Sequence, residues 1–379
     1  MKVLMVNTPA APRFRGGDLT QMRKTGEALR RLGVEVAESF EPKPNAAGCD
    51  LAHVFNLRTV QVTPGQVKAL KQQGVPVALS PIYLNPSLAT WASRVITNIF
   101  QNDRKPDELE RLLTALSSRT MKVKQPGGTV LSADGLHRPR PNYDQLQRET
   151  LQHVDHLLPN SYLEQYELVR TLRVGHIPFT VVPYAADPLT FLDPDPTPFV
   201  RKFGLRDFIL QVGRVETSKN QLMLAHALRN AGLPVLLIGG NLQRRYLDMC
   251  RKYGPKDLRV LPHLPPAGLA SAYAAARVHA LPSWIETCGL VTMEAALGNC
   301  NVVASIVGFE LEYYRDLAYY CDPADVSSIR HAVLRAYNNY EEDARRRLDL
   351  KRLILREYTW ERAAEQTFHA YCQVLHKKA

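Results

Sequence analysis

The chain has 379 residues, a length that suits two globular domains. Apolar residues make up 45% of it and charged residues 22%, a balance that excludes an intrinsically disordered protein. The formal net charge of +11 favours anionic partners, among them phosphorylated small molecules, phospholipid head groups and nucleic acid. No apolar stretch of the sequence approaches the roughly 20 residues that a membrane-spanning helix needs. The short apolar run at the N-terminus is typical of a buried strand and not of a signal peptide, so we predict a cytoplasmic protein.

The cysteines give no sign of a disulfide framework or a metal site. No two of them form a C-x-x-C pair, and most stand in apolar or helical surroundings. This pattern is typical of reduced thiols in a cytosolic protein, and we predict no bound metal. The six residues are Cys49, Cys250, Cys288, Cys300, Cys321 and Cys372.

The first half of the chain alternates between predicted strands and helices. A strand at Val3–Val6 leads into a loop that contains Gly16 and Gly17, and a helix follows as far as Leu32. Three further strands are predicted over residues 34–36, 50–55 and 75–79. This alternation predicts an α/β domain with a doubly wound parallel sheet.

Residues from about 86 to 151 interrupt that alternation. They contain an apolar segment of helical period, Leu88–Phe100, then a polar helix, Pro106–Ser117, and a loop rich in glycine and proline. We interpret them as an insertion that covers a cleft. The N-terminal Rossmann-like domain is predicted to span residues 1–184 and to resume with strands at 156–159 and 180–183.

The second half repeats the alternation after a proline-rich segment. Asp187–Pro198 holds four prolines and three aspartates, which is typical of an extended linker. A second Rossmann-like domain is predicted over residues 185–360, with a last helix over 361–379. Two such domains predict a cleft between them, and ligands of such sheets bind at the carboxyl ends of the strands. The predicted strands of this half are Phe208–Val212, Pro234–Ile238, Leu258–Leu261, Val278–Leu281, Asn301–Ala304 and Leu317–Cys321.

The first chemical motif follows a predicted strand directly and reads Gly-Arg-Val-Glu-Thr-Ser-Lys-Asn over residues 213–220. Gly213 at the strand end lets the backbone turn and approach a ligand closely. Arg214 and Lys219 lie on the same loop, so a forked guanidinium and a compact ammonium could grip a diphosphate together. Two surface cations beside a helix start would give the same pattern.

The second motif reads Pro-Ser-Trp-Ile-Glu-Thr-Cys-Gly-Leu-Val-Thr-Met-Glu-Ala over residues 282–295. A helix is predicted from about Gly289 to Gly298, and the free N–H groups at its start would form an anion site. Glu286 precedes this helix and Glu294 lies one and a half turns into it. A carboxylate near phosphate is favourable only when it accepts hydrogen bonds, so we predict that Glu286 binds a sugar and Glu294 a ribose. A helix cap and a surface glutamate are the alternatives.

These two motifs, in this order, resemble those of the retaining glycosyltransferases of group 4, the glycosyl transferases group 1, which have the GT-B fold of two Rossmann-like domains. The resemblance extends to the segment before the second motif, residues 263–283, and to the segment after it, residues 298–325. The final stretch, residues 358–375, resembles the family's last helix, which crosses back to the N-terminal domain. Residues 205–375, about half of the chain, carry the resemblance.

The resemblance implies roles for individual residues. Arg214 and Lys219 would contact the diphosphate of the donor and stabilise the departing nucleotide, and Glu286 would hold the donor sugar. Glu294 would bind the ribose hydroxyls, and Leu264 would lie near the nucleobase. Catalysis is thereby assigned to Glu286, Arg214 and Lys219. The implied donor-binding set is Gly16, Gly17, Gly213, Arg214, Lys219, Leu264, Glu286, Gly289, Leu290 and Glu294.

The resemblance also implies the reaction. A UDP-, GDP- or dTDP-sugar would donate its sugar, with retention of configuration and without a metal, because cations and a helix start stabilise the leaving diphosphate. The acceptor would be a glycan, a glycolipid or a small molecule, as in polysaccharide biosynthesis. No other cofactor is predicted, and no catalytic nucleophile is evident.

The first half departs from the family pattern where a histidine often follows the strand at residues 75–79. Ser-Pro-Ile-Tyr stands there instead, over residues 80–83. Tyr83 and His137, in the loop of the insertion, are the acceptor-side candidates, although a histidine in a loop is commonly incidental. Arginines and lysines on the first helix could contact anionic lipid peripherally, or form a solvated helix face.

Four other functions are weighed against the sequence. A sugar epimerase would show a different pattern of carboxylates and histidine, and a phosphorylase would need a pyridoxal lysine. A nucleic-acid-binding protein would need a basic groove with interleaved aromatics, whereas the arginines here are spread over separate helices. A catalytically inactive sugar-binding relative is disfavoured by the presence of Arg214, Lys219, Glu286 and Glu294.

Overall fold

A computed structural model describes residues 1–14, 16–101, 104–119, 122–124, 130–132, 141–240 and 243–376. The chain folds into two compact units, each built from separate stretches of sequence. Unit 1 comprises Met1–Leu84, Pro139–Ala186 and Arg356–Ala379. Unit 2 comprises Asn85–Arg138 and Asp187–Leu355.

Unit 1 is built on a parallel sheet of five strands in the order β2-β1-β3-β4-β7. Strand β3 is buried along its whole length, as expected for a central strand that helices cover on both faces. Apolar side chains of β1, β3 and β4 form the core with those of the neighbouring helices. The strands are β1 Lys2–Val6, β2 Glu35–Ser39, β3 Leu51–Phe55, β4 Val77–Ser80 and β7 His156–Leu157.

The helices of unit 1 include the last helix of the chain. Helix α17 packs against α2, and Arg31 forms a 2.7 Å ion pair with Glu361. In the core, His53 of β3 lies 2.7 Å from the Tyr371 hydroxyl, so the last helix is tied to the central strand. The helices are α1 Ala11–Phe14, α2 Gly17–Arg31, α3 Thr63–Gln72, α6 Pro141–Leu151, α7 Tyr162–Leu172 and α17 Trp360–His376.

Unit 2 is built on a parallel sheet of six strands in the order β10-β9-β8-β11-β12-β13. Strands β8, β9 and β12 are entirely buried. A separate antiparallel pair, β5 with β6, belongs to the inserted stretch. The strands are β5 Lys122–Lys124, β6 Val130–Ser132, β8 Phe208–Val212, β9 Val235–Ile238, β10 Arg259–Leu261, β11 Ala276–Leu281, β12 Asn301–Ser305 and β13 Tyr319–Cys321.

The helices of unit 2 surround this sheet. A 3-10 helix of one turn, Thr217–Lys219, precedes α10. A second 3-10 turn, Arg315–Leu317, follows α14. The helices are α4 Ser87–Gln101, α5 Pro106–Ser117, α8 Pro188–Phe191, α9 Thr197–Phe203, α10 Gln221–Ala227, α11 Arg244–Tyr253, α12 Pro266–Ala275, α13 Leu290–Leu297, α14 Glu310–Tyr314, α15 Val326–Asn338 and α16 Ala344–Glu357.

The inserted stretch differs from the predicted domain division. The sequence pattern predicts that residues 86–151 belong to the N-terminal domain, whereas residues 85–138 fold with unit 2. The reason is the apolar face of α4, whose Trp91, Ile96 and Phe100 lie in the same core as Met223 and Trp284. Burial of that face is worth about 1.5–3 kcal/mol for each large side chain, which favours the unit that covers it.

Two predicted elements differ from the observed ones. The segment Asp187–Pro198 is not an extended linker, because it contains α8 and the start of α9, both packed on α12. Asp187 caps α8 through the Leu189 N–H, and prolines stand in the first turns of both helices. The predicted strand at 180–183 is absent from the observed sheets, and Phe179 makes only one isolated bridge, to Leu157. Within the described residues, no helix is both long and apolar enough to traverse a lipid bilayer.

Candidate functional site

The first motif lies at the carboxyl end of β8, where the chain turns sharply. Gly213 has a φ of +146°, and the side chain of Lys219 folds back over it, 3.8 Å from the position of a Cβ there. The loop packs directly on Gly239, which follows β9. A Cβ on Gly239 would lie 1.9 Å from the carbonyl oxygen of Gly213, so a side chain at that position would push the loop away.

Lys219 and Glu286 join the two motifs. Their Nζ and Oε2 atoms lie 2.5 Å apart, and the two side chains are only 20% and 12% exposed. The loops are also linked through the backbone, because the Trp284 N–H donates to the Ser218 carbonyl at 2.9 Å. The predicted proximity of the two motifs is therefore observed within unit 2. The sequence signal was the presence of both motifs directly after strands that prove to be neighbours, β8 and β11.

Arg214 occupies a more open position than Lys219. Its side chain is 64% exposed, and its Nη2 pairs with Glu216 Oε1 at 3.0 Å. The Glu216 carboxylate also accepts a 2.6 Å hydrogen bond from the Ser218 hydroxyl, which fixes it within the loop. The Arg214 guanidinium is consequently held by its one ion pair, with Glu216, and leaves most of its N–H groups exposed.

Helix α13 begins and ends as predicted. Gly289 is its N-cap in a left-handed conformation, with a φ of +62°, and Gly298 is its C-cap. In its first turn the Leu290 and Val291 N–H groups have no acceptor within the helix, whereas the Thr292 N–H donates to the Gly289 carbonyl at 2.7 Å. The backbone of Glu286 is also fixed, because the Phe309 N–H donates to the Glu286 carbonyl. Gly308 lies so close to that carbonyl that a side chain at position 308 would clash with it.

Glu310 is a site residue that sequence analysis missed. It starts α14, is completely buried, and accepts hydrogen bonds from the Thr292 hydroxyl at 3.3 Å and the Ser305 N–H at 3.2 Å. Burial, followed by the nearby charge of Glu286, raises the pKa of Glu310 well above its usual range. Through its bond to Thr292, Glu310 helps to fix the first turn of α13. Its only sequence signal was a glutamate in an otherwise apolar and aromatic segment.

Glu294 lies in α13 and faces α12. Its Oε2 accepts a 3.2 Å hydrogen bond from the Tyr273 hydroxyl. Burial raises the pKa of Glu294 to about 8, although the hydrogen bond from Tyr273 acts in the opposite direction. A carboxyl group with this pKa is poised to accept further hydrogen bonds, because each one would favour its ionised form.

Helix α4 packs against the loop that carries the first motif. The Ser93 hydroxyl and the Thr217 hydroxyl are 2.7 Å apart, and Thr217 starts the turn that carries Lys219. The rings of Trp91 and Trp284 meet edge to face, with centroids 6.2 Å apart. The inserted helix thus contacts both motif-bearing loops, a role that its sequence did not reveal.

The remaining predicted donor residues are placed as follows. Leu264 is half-buried in the loop between β10 and α12, at the carboxyl end of β10. Gly16 and Gly17 lie in unit 1, where Gly16 is the N-cap of α2. Gly289 and Leu290 provide the opening turn of α13.

The acceptor-side candidates have different outcomes. Tyr83 is fully buried in the core of unit 1, so its position does not favour direct contact with an acceptor. The reason is that its backbone N–H is held by the buried Glu164, at 2.6 Å, which turns the side chain inward. His137 lies outside the described residues.

The carboxyl edge of the unit 1 sheet carries amide groups that the sequence did not single out. Asn56, which follows β3, donates a 3.2 Å hydrogen bond to Asp18 at the start of α2. Asn160, which follows β7, accepts from Gln21 at 2.6 Å and donates to Glu164 at 3.0 Å. Burial raises the pKa of Glu164 to about 7, against three N–H groups that donate to it.

Comparison with known proteins assigns unit 2. The family model described as "Glycosyl transferases group 1" matches residues 198–349, which contain both motifs. The part of the chain that carries both motifs is therefore similar in sequence to the group 1 glycosyl transferases. A D-inositol 3-phosphate glycosyltransferase of Nocardia farcinica is 27% identical over 252 residues, covering 60% of this chain and 55% of the relative. The chain thus spans about half the length of the curated relatives that it matches.

Solved structures show that the chain has the GT-B fold, with two Rossmann-like α/β units. Sucrose-phosphate synthase from Thermosynechococcus elongatus superposes with a TM-score of 0.73 at 16% identity, covering 100% of both chains. Anabaena HepE, solved in complex with UDP-glucose, gives a TM-score of 0.68 at 13% identity, again over 100% of both. The predicted family and fold are confirmed.

Within the described residues, no group of three or more histidine, cysteine, aspartate or glutamate side chains is placed to hold a metal ion. The described cysteines are all free thiols, and Cys250, Cys288, Cys300 and Cys321 are buried. Burial raises the pKa of the Cys288 thiol well above its usual range, so this cysteine, although it lies between the two glutamates, remains a neutral thiol.

Proposed function

We propose that this chain is a retaining, metal-independent glycosyltransferase that moves a sugar from a nucleotide-diphosphate sugar to an acceptor hydroxyl. The observation that carries the proposal is the largely buried Lys219–Glu286 pair, on the loops that follow two adjacent strands, with α13 starting at Leu290 shortly after Glu286. The similarity to the group 1 glycosyl transferases and the likeness to HepE, which was solved with UDP-glucose, support it.

The proposed catalysis is electrostatic. Breaking the bond between sugar and phosphate puts negative charge on the leaving diphosphate. Lys219 has three N–H donors, so it can contact Glu286 with one and the diphosphate with another. Arg214 reaches the diphosphate from the open rim, and the N–H groups of α13 complete the set of donors. These groups are in place before the reaction, which keeps the cost of reorganisation low.

The two glutamates would bind the donor at either side of its diphosphate. Glu286 accepts hydrogen bonds from the hydroxyls of the sugar, and its ion pair with Lys219 couples the sugar to the leaving group. Glu294 accepts from the ribose hydroxyls and Leu264 contacts the base. We assign no nucleophile, so retention is proposed from the family and not from a residue of this site.

The substrates are proposed by class only. The donor would be a UDP-, GDP- or dTDP-sugar, and the acceptor a glycan, a glycolipid or a small molecule. Gly16 and Gly17 of unit 1 would approach the donor phosphates. A cytoplasmic location and contact between the basic face of α2 and a membrane stay predictions.

The test is a panel of nucleotide sugars incubated with the full chain. Release of the nucleoside diphosphate and of free sugar is measured by mass spectrometry, with and without EDTA. We expect one nucleotide class to be cleaved, to raise the melting temperature of the protein by mass action, and to be cleaved equally in EDTA. With an acceptor in hand, NMR of the product should show the anomeric configuration of the donor.

Glu286→Gln should abolish most of this turnover, because the amide cannot pair with Lys219. Arg206→Ala is the matched control, since Arg206 is exposed at the opposite end of β8 and has no ion-pair partner among the described side chains. Equal rates in the two variants would contradict the proposal. Nucleotide binding without cleavage of any donor would instead indicate a sugar-binding relative that has lost its activity.

A further inference from the structure

Unit 2 contains a cavity that none of the donor-site residues lines. Its volume is about 810 Å³, and it lies between α5, the end of α10, the end of α11 and the start of α15. One wall therefore comes from the inserted stretch and the other walls come from the Rossmann-like unit. A volume in the range of about 300–1,000 Å³ suits a small molecule.

The floor of this cavity is apolar and aromatic. Phe100, His226 and Tyr253 form a cluster of three rings, with the Phe100 and Tyr253 centroids 4.9 Å apart. Of these three rings, His226 and Tyr253 line the cavity, as do Leu109 and Leu113 of α5. Nδ1 of His226 is buried and has no hydrogen-bond partner in the described part of the chain. The floor can thus cover a carbon framework and still offer one polar atom.

The rim of the cavity is basic. Four cationic side chains line it against two carboxylates. Two of these cations are already engaged, since Arg104 pairs with Glu108 and the Lys252 ammonium lies over the Tyr253 ring, 5.4 Å from its centroid. The other two, Lys105 and Arg229, are exposed and form no ion pair with any residue that the structure describes.

The basic character continues beyond this cavity. A smaller hollow of about 490 Å³ shares Arg229 and Lys252 with it and adds Arg251 and Lys256. Arg229 therefore stands where two concave surfaces meet. A forked guanidinium there, with the Lys105 ammonium lining the same cavity, offers donors that suit the oxygens of a phosphate group.

We propose that the cavity between α5, α10, α11 and α15 binds a phosphate ester, with the phosphate on Lys105 and Arg229 and the carbon portion on the aromatic floor. The same chemistry belongs to a soluble phosphorylated metabolite and to the head group of an anionic phospholipid. The site is separate from the donor site, so the inference does not depend on the proposed transferase activity.

Two probes distinguish the sources. Phenyl phosphate, added to the full chain in calorimetry, reports a soluble ester. Flotation with vesicles of phosphatidylcholine, alone or mixed with phosphatidylglycerol, reports a lipid head group. Both are run in a Lys219→Ala background, which weakens phosphate binding at the candidate donor site.

The decisive variant carries Lys105→Gln and Arg229→Gln, and its matched control carries Arg201→Gln and Arg206→Gln. All four side chains are exposed and both variants lose two positive charges, so folding and net charge are matched. Hydrogen bonds to charged groups are worth about 1.5–3 kcal/mol, so the cavity variant should lose affinity for the binding probe by about 10-fold or more.

The proposal is supported if one probe binds the control but not the cavity variant. Phenyl phosphate would then indicate a soluble ester as the ligand, and phosphatidylglycerol vesicles a lipid head group. Equal binding by the two variants would overturn the proposal, because general positive charge would then explain it. So would the absence of binding by the parent to either probe.

Discussion

The two units present different chemistry at corresponding edges. At the carboxyl ends of its strands, unit 2 carries the charged groups Lys219 and Glu286, in a pair that is largely buried. The same edge of unit 1 carries amides, with Asn56 on Asp18 and Asn160 between Gln21 and Glu164. Charge suits the binding of a diphosphate, whereas amides can both donate to and accept from neutral hydroxyls.

The difference also explains why the site residues of unit 2 could be predicted from the sequence and those of unit 1 could not. The residues of unit 2 come from two short motifs, each continuous along the chain. The contacts of unit 1 join distant positions, for example Gln21 and Asn160, which are 139 residues apart. No local pattern reports such a contact, so the amide edge could be recognised only from the structure.

The largest effect is expected at the centre of the charged edge. Lys219→Ala should lower kcat by about 10²–10³-fold, the cost of removing one preorganised donor from a developing anion. Arg214→Ala should cost less, because that side chain is 64% exposed and its charge is screened by water. Steady-state rates of nucleotide release measure both. A larger loss for Arg214 than for Lys219 would reverse the proposed division of work.

A smaller, pH-dependent effect is expected for Glu294, whose pKa is raised to about 8 by burial. If ribose hydroxyls donate to the ionised form of Glu294, binding of the nucleotide at a pH below about 8 releases the proton of this carboxyl group. Affinity should then rise by up to about 10-fold per pH unit toward pH 8 and level off above it. Calorimetry in buffers of different ionisation enthalpy measures the released proton, and Glu294→Gln should remove it.

The same pKa makes a prediction about stability. Glu294 has a folded pKa of about 8 against a usual value of 4.5, so the folded chain holds more protons between these limits. Its contribution to the free energy of unfolding is therefore complete below pH 4.5 and is lost as the pH rises through about 8. The free energy of unfolding, measured by urea titration across this pH range, should fall less steeply with pH for Glu294→Gln than for the parent.

A few-fold effect is expected at the helix that supports the charged loop. Ser93→Ala removes the hydrogen bond to Thr217, worth about 1 kcal/mol, and loosens the turn that carries Lys219. The donor KM should change less than kcat, because the leaving group gains most from a fixed ammonium. Thr97→Ala is the control, since its hydroxyl bonds only within α4, to the Ser93 carbonyl. Matching losses in both variants would point to the stability of α4 instead.

The smallest effect on the donor should come from the amide edge. Asn56→Ala should leave the affinity for the nucleoside diphosphate unchanged and raise the KM for the acceptor, because a hydrogen-bonding group for neutral hydroxyls is lost. Calorimetry with the nucleotide and steady-state kinetics with the acceptor separate the two quantities. A weakened nucleotide affinity would show that the two edges do not divide the substrates as we propose.

Much of the fold could be predicted from local patterns, since strand β8 and helix α5 have the bounds that the sequence indicates. The site in unit 2 was equally accessible, because its spacing around two strand ends is specific. The errors share one physical cause. The apolar face of α4 predicts burial but not the unit that buries it, and the prolines near α8 suggested extended chain where they start helices. Glu310 gave little signal because its role depends entirely on burial beside Glu286.

Helix α4 has a consequence for how the chain is made. It leaves the ribosome before any of the strands β8–β13 exist, so Trp91, Ile96 and Phe100 have no native partner until most of unit 2 has been synthesised. Unit 1 likewise waits for α17, the last helix to emerge. A chimaera that exchanges residues 187–355 alone would separate α4 from its partners, whereas one that also carries residues 85–138 would transplant a complete hydrophobic core.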